Sequence, residues 1–388
     1  MSDDVHDRFR TDIGRTLGVA PESVSLFARG RVALYAILRA MGVGEGDEII
    51  VPAFTCVAVP NAILYTGARP VWVDIDPISY GIDPRQVINA ISPRTRAILA
   101  QNTFGLPSDL DALSSIAQPR GLLLIDDSTH GLGGTYHGRP NGTSAPFAFF
   151  STQWSKPIST GLGGIAIARD ADGAKRIREL EHAALEPPKL ATTVLRTLVT
   201  AREYAGRRQA FRAGRAIYRS LSHRGLVPGS SSAPELEGTT IPHAFLMRMA
   251  SWQARAGSDR IQELGALVRH RQAIAKRYSE WLAARDHVIP PDISGVEHTF
   301  LRYPLRVRDR PAFIAAANNA GVDLGDWFVS PVHPVVGDLS AWGYVQGIAP
   351  VAQRICDEIV NLPVDTTMTN KDVEDVLGFL ATQERLII

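Results

Sequence analysis

The strongest constraint on the fold is a series of short apolar runs between residues 48 and 169: "EIIVP", "PVWVDID", "RAILAQN", "GLLLIDDS", "FAFFST" and "GGIAIAR". Each has the length of a strand, and turn-forming or helical stretches separate them. Strands that stay apolar without alternating are buried on both faces. Strand and helix in alternation predict an α/β fold, a largely parallel sheet between helices. At 388 residues the chain is too long for one ordinary core. The expected division is a large domain over 1–255 and, over 256–388, a bridging helix with a smaller C-terminal α+β domain.

Local signals fill in the frame. Val32, Leu34, Ala36, Ile37 and Met41 suit a buried helix, which "GVGEGDE" ends. Thr55 is a candidate cap for a helix over 56–66, closed by Gly67. Residues 171–240 form an Arg-rich helical insertion, with a break at Pro187–Pro188 and a loop over 226–242. Its basic face either meets water or contacts a partner or membrane surface. A long helix is expected to resume at Phe245, and "TFLRYPLRV" reads as a strand of the last domain.

Composition narrows the function. The formal net charge is +1, which gives no global field for nucleic acid or an anionic membrane. No apolar run approaches the roughly 20 residues that span a bilayer. The start "MSDDVHDRFR" is polar and lacks a signal-peptide core, so a cytoplasmic location is expected. Cys56 and Cys356 form neither a disulfide framework nor a metal-ligand set, and no metal is expected.

Three features fall at the carboxyl ends of expected strands, where open α/β sheets bind ligands. After Leu122–Ile125 come Asp126 and Asp127, and a carboxylate there either caps the next helix or engages a cationic group. After "FAFFS" comes Lys156, one of only five lysines, either surface decoration or an amine able to form a Schiff base. Gly30 opens a helix whose first-turn N–H groups can cradle a phosphate. Cradle, carboxylate and lysine together are what pyridoxal phosphate requires.

At these residues the chain resembles the DegT/DnrJ/EryC1/StrS family of sugar aminotransferases. The matching segments run nearly end to end, among them "GVGEGDEIIVPAFTCVAVPNAILYTGARPVWVDIDP", "LLLIDDSTHGLGGTYHGRPNG", "FFSTQWSKPISTGLGGIAIARD" and "APVAQRICDEIVNLPVD". The resemblance implies the fold of type-I pyridoxal-phosphate aminotransferases, with a seven-stranded, mostly parallel sheet. It places Lys156 on the lysine that carries the cofactor and Asp127 on the aspartate that pairs with the pyridine nitrogen. His130 falls near the ring hydroxyl, Thr129 on one ring face and Cys56 on the other, where an aromatic residue is common. Ser151 and the helix start at Gly30, Arg31 and Val32 fall on the phosphate.

Trp154, Trp327 and His333 are candidate substrate contacts. Arg31 replaces a usual Thr, so its amide serves the phosphate while its guanidinium reaches the phosphate or packs elsewhere. Leu162 stands where the family usually has Glu. The implied reaction moves an amino group from an amino acid, often glutamate, to a keto group of a sugar, commonly nucleotide-linked, in a homodimer with shared active sites. Two alternatives stay open: elimination or condensation on the same cofactor, and a non-catalytic regulatory or assembly protein that kept the fold. The family's dehydratases carry histidine in place of the lysine, so Lys156 counts against that type.

Overall fold

The structure is a computed structural model that describes residues 2–204, 235–236 and 238–388. Its centre is a seven-stranded sheet. The strands of the large domain are β1 (Val24–Phe27), β2 (Glu48–Pro52), β3 (Thr55–Cys56), β4 (Arg69–Val73), β5 (Thr95–Gln101), β6 (Leu123–Asp127), β7 (Thr135–Tyr136), β8 (Arg139–Pro140), β9 (Phe147–Ser151) and β10 (Gly164–Ala168). The sheet order is β1-β10-β9-β6-β5-β2-β4. All neighbours are parallel except β10, which runs against both β1 and β9. The expected α/β class and mostly parallel sheet are therefore present.

The strands are buried on both faces because helices cover them. On one side pack α1 (Ser2–Leu17) and the helix Ser251–Ile261, with Phe9 and Ile13 against Phe150 and Ile165. The helix α2 (Gly30–Ala40) lies on the opposite face, among Leu34, Ile37 and Ile49. Short polar residues start several helices. Asp83 accepts from Arg85 N ahead of Pro84, Asp109 from Ala112 N, and Asp170 from Gly173 N.

A second apolar cluster gathers Tyr278, Tyr303, Leu305, Phe313, Leu362 and Phe379. It includes residues of β11 (Tyr303–Arg306) and β13 (Ile359–Leu362), which run antiparallel. Between them in sequence, Phe328, Val332, Trp342 and Ile355 join the core of the large sheet instead.

Four local expectations change. Thr55 does not cap a helix; it lies in β3, and its Oγ1 donates to Gln101 Oε1 at 2.6 Å. The next helix, α3, is only Ala58–Leu64. The strand β6 runs on through both aspartates instead of stopping at Ile125, because Asp126 and Asp127 pair with β5 and β9. Phe245–Ala250 is not helical. Arg248 bridges Phe27, and Met247 bridges Leu185, so this backbone is drawn to neighbouring chain and the helix starts only at Ser251.

In the insertion, Ala171–Ala183 and Lys189–Tyr204 are helices with the break where the prolines stand. Leu195 and Val199, one turn apart on the second of these, pack at Gly161. The remainder of the expected helical stretch, and most of the loop expected over 226–242, lies outside the described residues.

Candidate active site

Strand alternation sends the two aspartates at the end of β6 to opposite faces. Asp126 accepts from Asn102 Nδ2 at 2.6 Å and from Gly142 N at 3.0 Å, and burial pushes its carboxyl up to about 7. Asp127 accepts from Thr129 N at 3.0 Å. Burial raises its pKa, and the Lys156 ammonium acts in the other direction. Of the pair, Asp127 is thus the carboxylate that faces the lysine.

Lys156 stands on a loop tied shut between β9 and β10. Thr152 N donates to Gly163 O at 3.0 Å, Thr160 N to Thr152 O at 2.8 Å, and Trp154 N to Gly161 O at 3.1 Å. Gln253 Nε2 donates to the carbonyl of Leu162, whose own side chain is buried. A Cβ on Gly163 would lie 2.1 Å from Thr152 Oγ1, so only glycine allows this closure. Lys156 Nζ donates to Thr129 Oγ1 at 3.3 Å and lies 5.3 Å from the centre of the Trp327 ring. Burial lowers its pKa to about 8 against the pull of Asp127, with Arg302 adding to the fall.

The helix start and Ser151 meet at the neighbouring strand ends. Arg29 offers no side-chain cap to α2. A Cβ on Gly30 would lie 2.9 Å from Ser151 Cβ, and one on Gly164 would lie 2.1 Å from Arg29 O. Two missing Cβ atoms therefore let the helix start rest on the ends of β9 and β10. Val32 is fully buried beneath it. The Arg31 guanidinium turns to Glu235, a carboxylate only 1% exposed, which also takes Arg29 Nη1 at 3.5 Å. The Glu235 carbonyl accepts from Asn61 Nδ2 at 2.8 Å. Of the two fates open to Arg31, its side chain thus packs on Glu235.

The other wall comes from far along the chain. A short strand, β12 (Val332–His333), pairs in parallel with β3, setting His333 opposite Cys56. Val57 N donates to His333 O at 2.7 Å. This brings Trp327 within 4.7 Å of His333 and 5.4 Å of His130, ring centre to ring centre. His130 is buried, and its Nδ1 has no hydrogen-bond partner. Burial first, then the charges of Lys156, Arg302 and His333, hold its pKa well below 6.5, so the ring is neutral. Trp154 is partly exposed in the lysine loop.

The fold thus gathers Asp127, Thr129, His130, Lys156, Cys56, Trp327 and His333 in one place, with Gly30, Arg31, Val32 and Ser151 at the adjoining strand ends. Sequence reasoning missed Arg302, Arg271 and Glu235, all beside this place. No motif marks them; their one signal is charge next to apolar runs, which arginine gives everywhere in this chain.

A sheet of this order, with a desolvated lysine and a carboxylate at its carboxyl edge, defines a pyridoxal-phosphate enzyme of the aminotransferase class. The profile of the DegT/DnrJ/EryC1/StrS aminotransferase family matches residues 4–381, and the chain belongs to that family. It is similar to the pleiotropic regulatory protein of Geobacillus stearothermophilus, 28% identical over 361 residues, which cover 91% of this chain and 82% of that one. It is 26% identical over 338 residues to UDP-N-acetyl-3-dehydro-alpha-D-glucosamine 3-aminotransferase of Acidithiobacillus ferrooxidans, covering 87% of this chain and 78% of that one. Among solved structures, the aminotransferase TlmJ from Streptoalloteichus hindustanus superposes with a TM-score of 0.76 at 26% identity, over 98% of this chain and 91% of that one.

Proposed function

We propose that the protein transfers an amino group from an amino acid, glutamate being the expected donor, to the keto group of a sugar, commonly nucleotide-linked. The observation that carries this reading is the Lys156 amine, brought down to about 8 by burial beside the buried Asp127. A structural lysine on a surface loop has no cause to be desolvated against a carboxylate.

The residues fit pyridoxal phosphate. Gly30 leaves the helix start clear against Ser151, and the first-turn N–H groups of α2 suit a phosphate there. Asp127 suits a protonated pyridine nitrogen, and the buried, unpartnered His130 Nδ1 suits a hydroxyl or water near the ring. Thr129 and Cys56 are assigned to the two faces of the ring. Once bound, the group supplies an electron sink that makes the donor's Cα–H acidic. Lys156 Nζ, partly neutral near pH 8, is the base that accepts that proton and the acid that returns one. Trp327, His333 and Trp154 line the approach and help to exclude water. A cytoplasmic homodimer, with active sites completed between subunits, and the division into a 1–255 and a 256–388 domain complete the reading. Among the described residues, no helix is long and apolar enough to cross a membrane.

The test is direct. Purified protein with pyridoxal phosphate should absorb in the visible, and borohydride should fix the cofactor on Lys156. In a separate, unreduced sample, glutamate alone should bleach the visible band as the amino group is taken up. A second reading, a regulatory protein that kept the fold, takes support from the name of the Geobacillus relative. A protein that neither binds the cofactor nor responds to any amino donor would favour it.

A further inference from the structure

The second helix of the insertion, Lys189–Tyr204, rests on the loop that carries Lys156. The chain leading into it is fixed. Leu185 N donates to Leu246 O at 2.9 Å, Arg248 N donates to Leu185 O at 3.1 Å, and Arg248 pairs with Glu186. Pro187 and Pro188 follow, and the helix starts at Lys189. Along it, Leu195 and Val199 are buried, whereas Thr193, Arg196, Thr197 and Thr200 are exposed. A spacing of four sets the two apolar side chains on one face.

That face meets Gly161. Gly161 has φ 81°, and a Cβ on it would lie 2.8 Å from Val199 Cγ2 and 3.1 Å from Leu195 Cδ1. Glycine is required here twice, for the backbone conformation and for the close approach. Hydrogen bonds then lead from Gly161 to the lysine. Gly161 O accepts from Trp154 N at 3.1 Å, and Lys156 N donates to Gln153 O at 3.0 Å. Beside Gly161, Thr160 Oγ1 donates to Leu162 O at 2.7 Å, and Gly161 N donates to Ser159 Oγ at 3.2 Å. Elsewhere the same loop is held by Gln253 at Leu162 O and by Arg271 at Pro157 O. Close-packed contacts transmit strain, so a void under Leu195 and Val199 would free Gly161 and, through Trp154, the turn that carries Lys156.

We propose that Leu195 and Val199 are positioning residues, which clamp Gly161 and so set how deeply Lys156 lies in the site. The insertion then acts on the reacting amine from outside the sheet, while its polar outer face stays free of that task. The use of the clamp in proton transfer rests on the aminotransferase reading; the clamp itself does not.

The test compares the full chain with Leu195→Ala, Val199→Ala, Leu195→Met and, as a control on the exposed face, Thr200→Ala. In cofactor-free protein, the pH midpoint of acetic anhydride labelling at Lys156 should lie about one pH unit higher in Leu195→Ala than in the parent, because water reaches the amine in a loosened loop. Val199→Ala should move it the same way by less. Leu195→Met refills the space and should bring the midpoint back close to the parent's. With pyridoxal phosphate bound, the glutamate half-reaction should slow about tenfold in Leu195→Ala, with KM within about twofold of the parent's. Thr200→Ala should change neither readout. A Leu195→Ala protein with a lower urea midpoint, an unshifted labelling curve and an unchanged half-reaction rate would make the helix a stabilising cover only and overturn the proposal. If Leu195→Ala does not fold, Val199→Ala decides by the same comparison. A parent protein inert to every amine would sink the aminotransferase reading alone, since the labelling curve still decides the clamp.

Discussion

Lys156 Nζ donates to Thr129 Oγ1 at 3.3 Å, while the backbone N–H of the same threonine donates to Asp127 Oδ1 at 3.0 Å. Thr129 therefore spaces the amine and the carboxylate that hold each other's charge. The relation depends on the turn after β6 and on the closed loop after β9 meeting at neighbouring strand ends.

In cofactor-free protein, the neutral fraction of Lys156 should rise with pH with its midpoint at about 8. Acetic anhydride labelling of Lys156, read by mass spectrometry, should follow that curve, whereas an exposed lysine keeps gaining reactivity past pH 10. Thr129→Val removes a hydrogen bond to the charged amine and should move the midpoint to lower pH. A midpoint near 10 in the parent would contradict the desolvated site.

Asp127→Asn should lower the Lys156 midpoint further, because the carboxylate is the main partner opposing desolvation. It should also slow the glutamate half-reaction by about a hundredfold or more, the usual scale for losing one preorganised charge at a reacting centre. Single-turnover absorbance measures it. Asp126→Asn is the control: its side chain turns to Asn102 and Gly142, so it should change stability more than the half-reaction rate.

Gly30→Ala sets a Cβ against Ser151 at 2.9 Å. Overpacking of this kind costs about 1–3 kcal/mol, and here it separates the helix start from the strand end that would share the phosphate. Cofactor affinity, measured by fluorescence titration, should fall along with the denaturation midpoint. Affinity unchanged at lowered stability would take the phosphate away from this corner.

Glu235→Gln leaves the buried Arg31 guanidinium without its carboxylate. Breaking such a pair costs about 3–5 kcal/mol, whereas replacing both partners by apolar residues costs less. Urea unfolding should therefore rank Glu235→Gln as less stable than the double variant Arg31→Met, Glu235→Leu.

His298 gives the pH dependence of stability. Burial lowers its pKa to about 3, its Nδ1 accepts from Phe300 N at 2.9 Å, and its ring stacks on Phe300 at 3.8 Å between centres. Between pH 3 and about 6.5 the unfolded chain binds this proton and the folded chain does not. Stability from this group is thus full above about 6.5 and falls as pH drops toward 3. Urea midpoints at pH 7 and pH 5 should differ less in His298→Asn, which keeps an acceptor without titrating.

Much of the large sheet was legible, since runs such as "EIIVP" and "FAFFS" stay apolar wherever helices cover both faces. The helix opening at Gly30 was legible from its glycine and its run of apolar positions. The start at Phe245 misled, because an apolar, helix-compatible stretch was claimed by backbone pairing with Phe27 and Leu185. The wall made by Trp327 and His333 was only a guess until β12 paired with β3. A two-residue strand carries no periodicity of its own.

By itself the sequence determined the alternation of buried strands and helices, and the residue types that end those strands. That follows because burial and helix capping act over a few neighbouring residues. Only the tertiary structure decided that Asp127 and not Asp126 faces the lysine, that Arg31 turns to Glu235, and that Arg271 reaches Pro157 O beside Lys156. Those choices depend on strand registers, loop closures and charges from distant segments, whose energies exist only when the chain has brought them together.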